Sequence, residues 1–244
     1  MQNDDTLAKD TDDVDSLFDD SPSPHPAGEG SRRTAPPIPG LYFDPALCLP
    51  PALAEDVMWT CIRMYFQKSA VDQVMLFERA SSPGRGLPRV LIALLATLAD
   101  LLRPLLPPEK HTLLFPSEPT GCARQAILNL YWPGGGIIPH VDLLDRYGDG
   151  IIGRVDSGTH GEGQQHGLYL PSGSVLVLTE EARYGWTHGI EERMEDEVEC
   201  EDKPGTAGLL PRDIRLSITF RWLLPGADVV GGPVLQTAQD NRAH

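Results

Sequence analysis

No CxxC pair occurs in the 244 residues, and the four cysteines (Cys48, Cys61, Cys122, Cys200) stand far apart. That argues against a disulfide framework or a thiolate zinc site and fits a reducing compartment, so a cytoplasmic or nuclear location is expected. The first residues are acidic and lack an apolar h-region, so no secretory signal is expected. No apolar run is long enough to cross a bilayer. The longest, VLIALLATLADLLRPLL at 90–106, is interrupted by Asp100, Arg103 and Pro104 and reads as a buried helix. No membrane association is expected. The glycines at 134–136 are not followed by GK[ST], which excludes a phosphate-binding loop. There is no internal repeat.

Basic charge is also scarce. The formal net charge is −15, but it is concentrated: residues 1–20 hold eight Asp and one Lys, and residues 191–202 (EERMEDEVECED) hold eight acids and one Arg. Each segment nets −7, which leaves −1 for everything else. Both segments are expected to be disordered or solvated and are candidate docking sites for protein partners. A near-neutral body offers no basic patch in support of a nucleic-acid substrate, and does not exclude one.

Residues 1–38 are acidic and then rich in Pro, Gly and Ser, and read as a disordered tail. A single folded domain is expected over 39–226, followed by a C-terminal tail at 227–244. Pro51 sits at a helix start, with Val57, Cys61, Met64 and Tyr65 at helical spacing behind it. QVMLF at 73–77 reads as a strand. The Leu-rich helix around 88–103 is taken to end at PPEK. After residue 120 the period shortens to two: Ile127, Asn129 and Tyr131 alternate with Leu128, Leu130 and Trp132. GSVLVLTE at 173–180 is a strand. In DIRLSITFRWLL at 213–224, polar Arg215, Ser217, Thr219 and Arg221 alternate with apolar Leu216, Ile218, Phe220 and Trp222. A strand with one polar face belongs to a two-layer β fold whose polar face lines something. Helices first and strands after predict an α+β fold with a β-sandwich core. Trp132 and Trp186 could line a substrate pocket, but aromatics near strands are more often core.

The chemistry concentrates in NLYWPGGGIIPHVD at 129–142. On a strand, residues i and i+2 point the same way, so His140 and Asp142 can hold one cation from one side. An HxD pair alone is weak, since about 0.6 such pairs arise by chance in this composition. A second histidine would complete a facial site with two histidines and one carboxylate, which leaves positions open on non-haem Fe(II). His160 and His166 sit in a Gly-rich stretch, whereas His188 follows the strand GSVLVL, and His188 is the expected third ligand. Arg215 and Arg221 share one strand face, where two guanidiniums repel unless an anion joins them, and a dicarboxylate suits their geometry. Asn129 and Tyr131 add neutral donors.

In order and spacing, NLY, PHVD, ARYGWTHGI and RLSITFR resemble the AlkB-like family of Fe(II)/2-oxoglutarate-dependent dioxygenases over residues 38–226. The wording RYGWTHGI is similar to eukaryotic branches, including one linked to tRNA wobble-uridine modification. The resemblance implies a double-stranded β-helix (jelly roll) core with N-terminal flanking helices. It implies iron held by His140, Asp142 and His188, with 2-oxoglutarate and O2 as cosubstrates. Arg215 would pair with the distal carboxylate of 2-oxoglutarate, assisted by Tyr131 and Ser217, while Asn129 and Arg221 would serve the end near the metal. The implied activity is hydroxylation or oxidative demethylation, with an alkylated or modified nucleic acid (DNA or tRNA) as candidate substrate. The sequence departs from the family after Ile152. Only Val155 is a large apolar residue before Leu168, so one core strand is expected to be missing there, which would open the core. That leaves two alternatives: a catalytically impaired or truncated relative acting through binding, or a dioxygenase of the same fold acting on protein or lipid.

Overall fold

The computed structural model describes residues 30–68, 70–78, 86–117, 120–153, 159–161, 164–203 and 205–227. In chain order the elements are β1 (Leu41–Cys48), α1 (Pro51–Tyr65), β2 (Gln73–Phe77), α2 (Arg89–Leu102), α3 (Pro108–Leu114), β3 (Arg124–Tyr131), β4 (Ile137–His140) and β5 (Tyr147–Gly153). There follow β6 (Thr159–Gly161), β7 (Gln164–His166), β8 (Ser174–Leu178), α4 (Glu180–Tyr184), β9 (His188–Ile190), β10 (Glu195–Glu199), β11 (Ala207–Pro211) and β12 (Arg215–Leu223).

Six strands form one antiparallel sheet in the order β1-β8-β5-β12-β3-β2. Two-stranded pairs β4-β9, β6-β7 and β10-β11 complete the strand set. This is a jelly-roll arrangement: strands adjacent in the large sheet are distant in sequence, and the chain crosses repeatedly to the short pairs. The alternation in β12 divides the two faces. Leu216, Ile218 and Phe220 pack with Leu91, Leu94, Leu98 and Leu102 of α2 and with Val57 and Cys61 of α1. Ser217, Thr219 and Arg221 face the opposite way, into a pocket. Helices thus seal one face of the sheet with apolar side chains and leave the polar face for the site.

The structure corrects several expectations. PPEK does not close the Leu-rich helix; it starts α3, with Pro108 in the first turn where its missing N–H costs nothing. Residues 30–38 are not a disordered tail. Ser31 exchanges hydrogen bonds with Glu197 and Glu199, Arg33 pairs with Glu201, and Ile38 is buried. Residues 1–29 and 228–244 lie outside the described residues, as do the structural expectations placed on them. The acidic run at 191–202 is not disordered either: it contains β10, paired residue for residue with β11. Val198 is buried there, and Arg212 holds Asp196, so charge is compensated locally. Trp132 is no core residue, being 62% exposed, whereas Trp186 is buried and donates to Glu181.

Between β5 and β8 no long buried strand occurs among the described residues. β5 ends at Gly153, and a hairpin of three-residue strands, β6 and β7, precedes β8. The expected opening of the core does not follow, because β5 is hydrogen-bonded on both sides, to β12 and to β8.

Candidate metal centre

The site lies between the polar face of the large sheet and the β4-β9 pair. Strand β4 is placed by the glycines before it. Gly134 turns the chain at φ +84°, a conformation that side chains rarely adopt, and its N–H bonds to Arg193 O. A Cβ at Gly136 would meet Ile190 O at 2.4 Å, so only glycine lets the chain run this close to β9. In the resulting register His140 stands directly opposite His188. Their ring centroids are 4.6 Å apart.

Asp142 follows two residues after His140 and is buried. Its carboxylate lies 4.0 Å from His140 Nε2 and 3.9 Å from His188 Nε2. One donor atom from each of the three residues can be chosen so that all lie within 4.8 Å of one another. His140 Nδ1 lies 2.9 Å from Ile138 O, so the nitrogen facing that carbonyl donates a proton to it, and Nε2 is the nitrogen on the Asp142 side. Burial pushes His188 down to about 4, against the opposing pull of Asp142 and with His140 adding to the depression. The imidazole is therefore neutral at pH 7, the form that ligates a metal.

The Asp142 carboxylate is held on one side only. Arg221 Nη1 bonds to Oδ1, while Oδ2 is buried with no hydrogen-bond partner. Arg221 is itself fixed: Nε donates to Gln125 Oε1 at 3.0 Å, and its guanidinium lies 3.8 Å from the Tyr147 ring centre. Arg183, on α4, donates to the main-chain oxygens of Asp142 at 3.0 Å and Leu143 at 3.3 Å.

Of the expected cosubstrate residues, Asn129, Tyr131, Ser217 and Arg221 line the same pocket as the three candidate ligands. Arg221 sits beside Asp142. Arg215 is not among the lining residues but stands opposite Tyr131 in the β3-β12 register, as Ser217 does opposite Asn129. Burial pushes the Tyr131 hydroxyl up to about 12, opposed by a hydrogen bond with Asn129 and by the Arg215 charge. Asn129 also accepts from Gln73 at 2.8 Å. His166 is not brought to the triad; it packs on Trp186 at 5.6 Å.

Thr219, read only as part of the polar face of its strand, lines the pocket from β12. Three contributors escaped the sequence reading. Gln125 extends the Asn129–Tyr131 face of β3 by alternation, so period two could have found it. Arg183 and Tyr147 carry no comparable local signal, since their partners are about forty and seventy residues away.

Fold and site together define an antiparallel jelly roll that gathers two histidines and one carboxylate beside a polar pocket. No family profile matches the chain. It is 38% identical over 105 residues to the uncharacterized protein L905 of Acanthamoeba polyphaga mimivirus, spanning 40% of this chain and 47% of that one. It is 37% identical over 112 residues to the mouse tRNA (carboxymethyluridine(34)-5-O)-methyltransferase ALKBH8, spanning 40% of this chain and 17% of that protein. The chain thus matches less than half the length of these relatives, and its homology to ALKBH8 is distant. A prolyl-4-hydroxylase from Pseudomonas putida superposes with a TM-score of 0.43 at 17% identity, covering 75% of this chain and 92% of the other.

Proposed function

We propose that the chain is an Fe(II)/2-oxoglutarate-dependent dioxygenase. The observation that carries this reading is the facial set His140, Asp142 and His188, with Asp142 Oδ2 buried and lacking a hydrogen bond. A buried carboxylate oxygen without a partner is costly unless something else binds it. Two imidazoles and a carboxylate suit Fe(II) and leave positions free for a cosubstrate. Bound there with 2-oxoglutarate and O2, the metal supplies oxidation of a C–H bond to an alcohol, which releases formaldehyde when the carbon is an N-methyl.

The protein's part is to hold and orient. His140, Asp142 and His188 would hold the metal. Tyr131, Asn129 and Ser217 would orient the cosubstrate from the sheet, with Arg215 meeting its distal carboxylate. Arg221 would act near the metal chiefly through Asp142, whose Oδ1 it already occupies. The substrate we assign is a modified nucleic acid. Similarity to a protein named for a tRNA activity supports that assignment, and the charge distribution does not add to it.

The test is anaerobic absorbance of the protein with Fe(II) and 2-oxoglutarate, compared with His188→Ala and Arg215→Ala. A weak charge-transfer band present in the wild type and lost in both variants supports the reading. A folded wild type without the band removes it and leaves a protein acting through binding.

A further inference from the structure

We infer that Arg183 is a positioning residue for the metal centre, tying the two ligand-bearing segments of the chain to each other. The inference rests on the metal-site reading above. Arg183 lies on α4, five residues before His188, and only residues 185–187 separate α4 from β9. Its two Nη atoms donate to the main-chain oxygens of Asp142 and Leu143, in the segment just after β4. One side chain therefore bridges the lead-in to His188 and the loop that presents Asp142.

Stability alone is a poor explanation for this arrangement. Arg183 is 1% exposed, and its Nε is buried without a hydrogen-bond partner. Its hydrogen-bond partners are neutral carbonyls, which offset the burial of a full positive charge less well than a carboxylate does. An apolar side chain of similar length would avoid that cost. What an apolar residue cannot do is hold two successive carbonyls with a rigid fork. Holding the carbonyls on either side of Leu143 fixes the backbone immediately after the Asp142 Cα, and with it where the Asp142 side chain leaves the chain. Arg221 then fixes its Oδ1, and Oδ2 is left toward His188 Nε2.

The experiment uses Co(II) as a spectroscopic probe on the full chain, with Arg183→Lys, Arg183→Met and a control on the same helix, Ala182→Val. The control disturbs the packing of α4 without touching Asp142. We expect the wild type to bind Co(II) with resolved d–d bands. Arg183→Lys should bind roughly 10- to 100-fold more weakly and with shifted bands, because supporting groups around metal ligands act at that scale. Ala182→Val should keep the wild-type affinity and spectrum even where its melting temperature falls. Wild-type affinity and spectrum in Arg183→Lys overturn the inference. So does equal loss in Ala182→Val, which makes the effect one of helix packing. Absence of Co(II) binding by the wild type removes instead the metal-site reading beneath it.

Discussion

His140 and His188 are direct cross-strand partners on β4 and β9, with their rings inclined by 53° at 4.6 Å. Side chains opposite each other on a paired ribbon share one surface, so both imidazoles and Asp142 present donors to a common point. Metal binding must then stabilise the fold through the native state alone. At one hundred times its dissociation constant, Fe(II) or Co(II) should add about 2.7 kcal/mol to the unfolding free energy. His188→Ala should abolish that increment in a thermal or urea unfolding series.

Gly189, beside His188, sets how close the two ribbons lie. A Cβ there would stand 2.8 Å from Ile137 O and from Pro139 N and Cα, all backbone atoms that cannot yield cheaply. Gly189→Ala should cost about 1–3 kcal/mol as an overpacking change and separate the ligands enough to lose Co(II) binding. Gly148→Ala is the matched control, since its nearest neighbour would be 3.9 Å away. It should shift stability by no more than about 0.5 kcal/mol.

Asp142 and Arg221 form a buried pair, so breaking it is more damaging than removing it. Arg221→Met leaves the Asp142 charge and Gln125 Oε1 without their partner. The expected loss is about 3–5 kcal/mol in urea unfolding of the metal-free protein. The double variant Arg221→Met/Asp142→Leu should recover most of that loss while binding no metal. A double variant as unstable as the single one would show that the pair acts through packing of the Arg221 stem.

Much of this was readable from local pattern. The two-residue period marked β3 and β12 and set the direction of the polar face of β12, while a continuous apolar run marked β8; β4 ends at His140, so Asp142 is placed by the segment after the strand. Where charge density was read as disorder, the reading failed. In β10, Val198 is buried between acids that point outward, and Arg212 compensates Asp196 from across the hairpin. Cross-strand compensation is invisible to a count of charges along the chain. The supports of the site were hidden for a related reason: Arg183 and Tyr147 act through contacts spanning 41 and 74 residues. The weak strand text after Ile152 did mark a real irregularity, yet the sheet stays whole because β5 needs only to reach Gly153.

Tyr131 supplies a pH signature. Burial pushes its hydroxyl up to about 12 in the fold, above an ordinary phenol. Between pH 10 and 12 the unfolded chain gives up this proton and the folded chain keeps it, so stability falls as pH rises through that window. Tyr131→Phe should remove this part of the fall. At pH 7–9 the hydroxyl is a neutral donor, and the same variant should bind 2-oxoglutarate roughly tenfold more weakly, the scale of one hydrogen bond to a charged group. Unchanged affinity would remove Tyr131 from the cosubstrate site.

The nucleic-acid substrate is the assignment most exposed to test. Arg33, Lys110, Arg193 and Arg212 are each held by a carboxylate of the same chain, so these four are engaged within the fold rather than offered to phosphates. A single-stranded substrate gripped through three phosphates would give a slope of about −2 when log affinity is plotted against log salt. We expect a slope of that size with methylated oligonucleotides in the presence of Co(II) and 2-oxoglutarate. Affinity indifferent to salt means that phosphates are not being read. Together with an intact charge-transfer band, that result would leave the dioxygenase reading standing and move its substrate to protein or lipid.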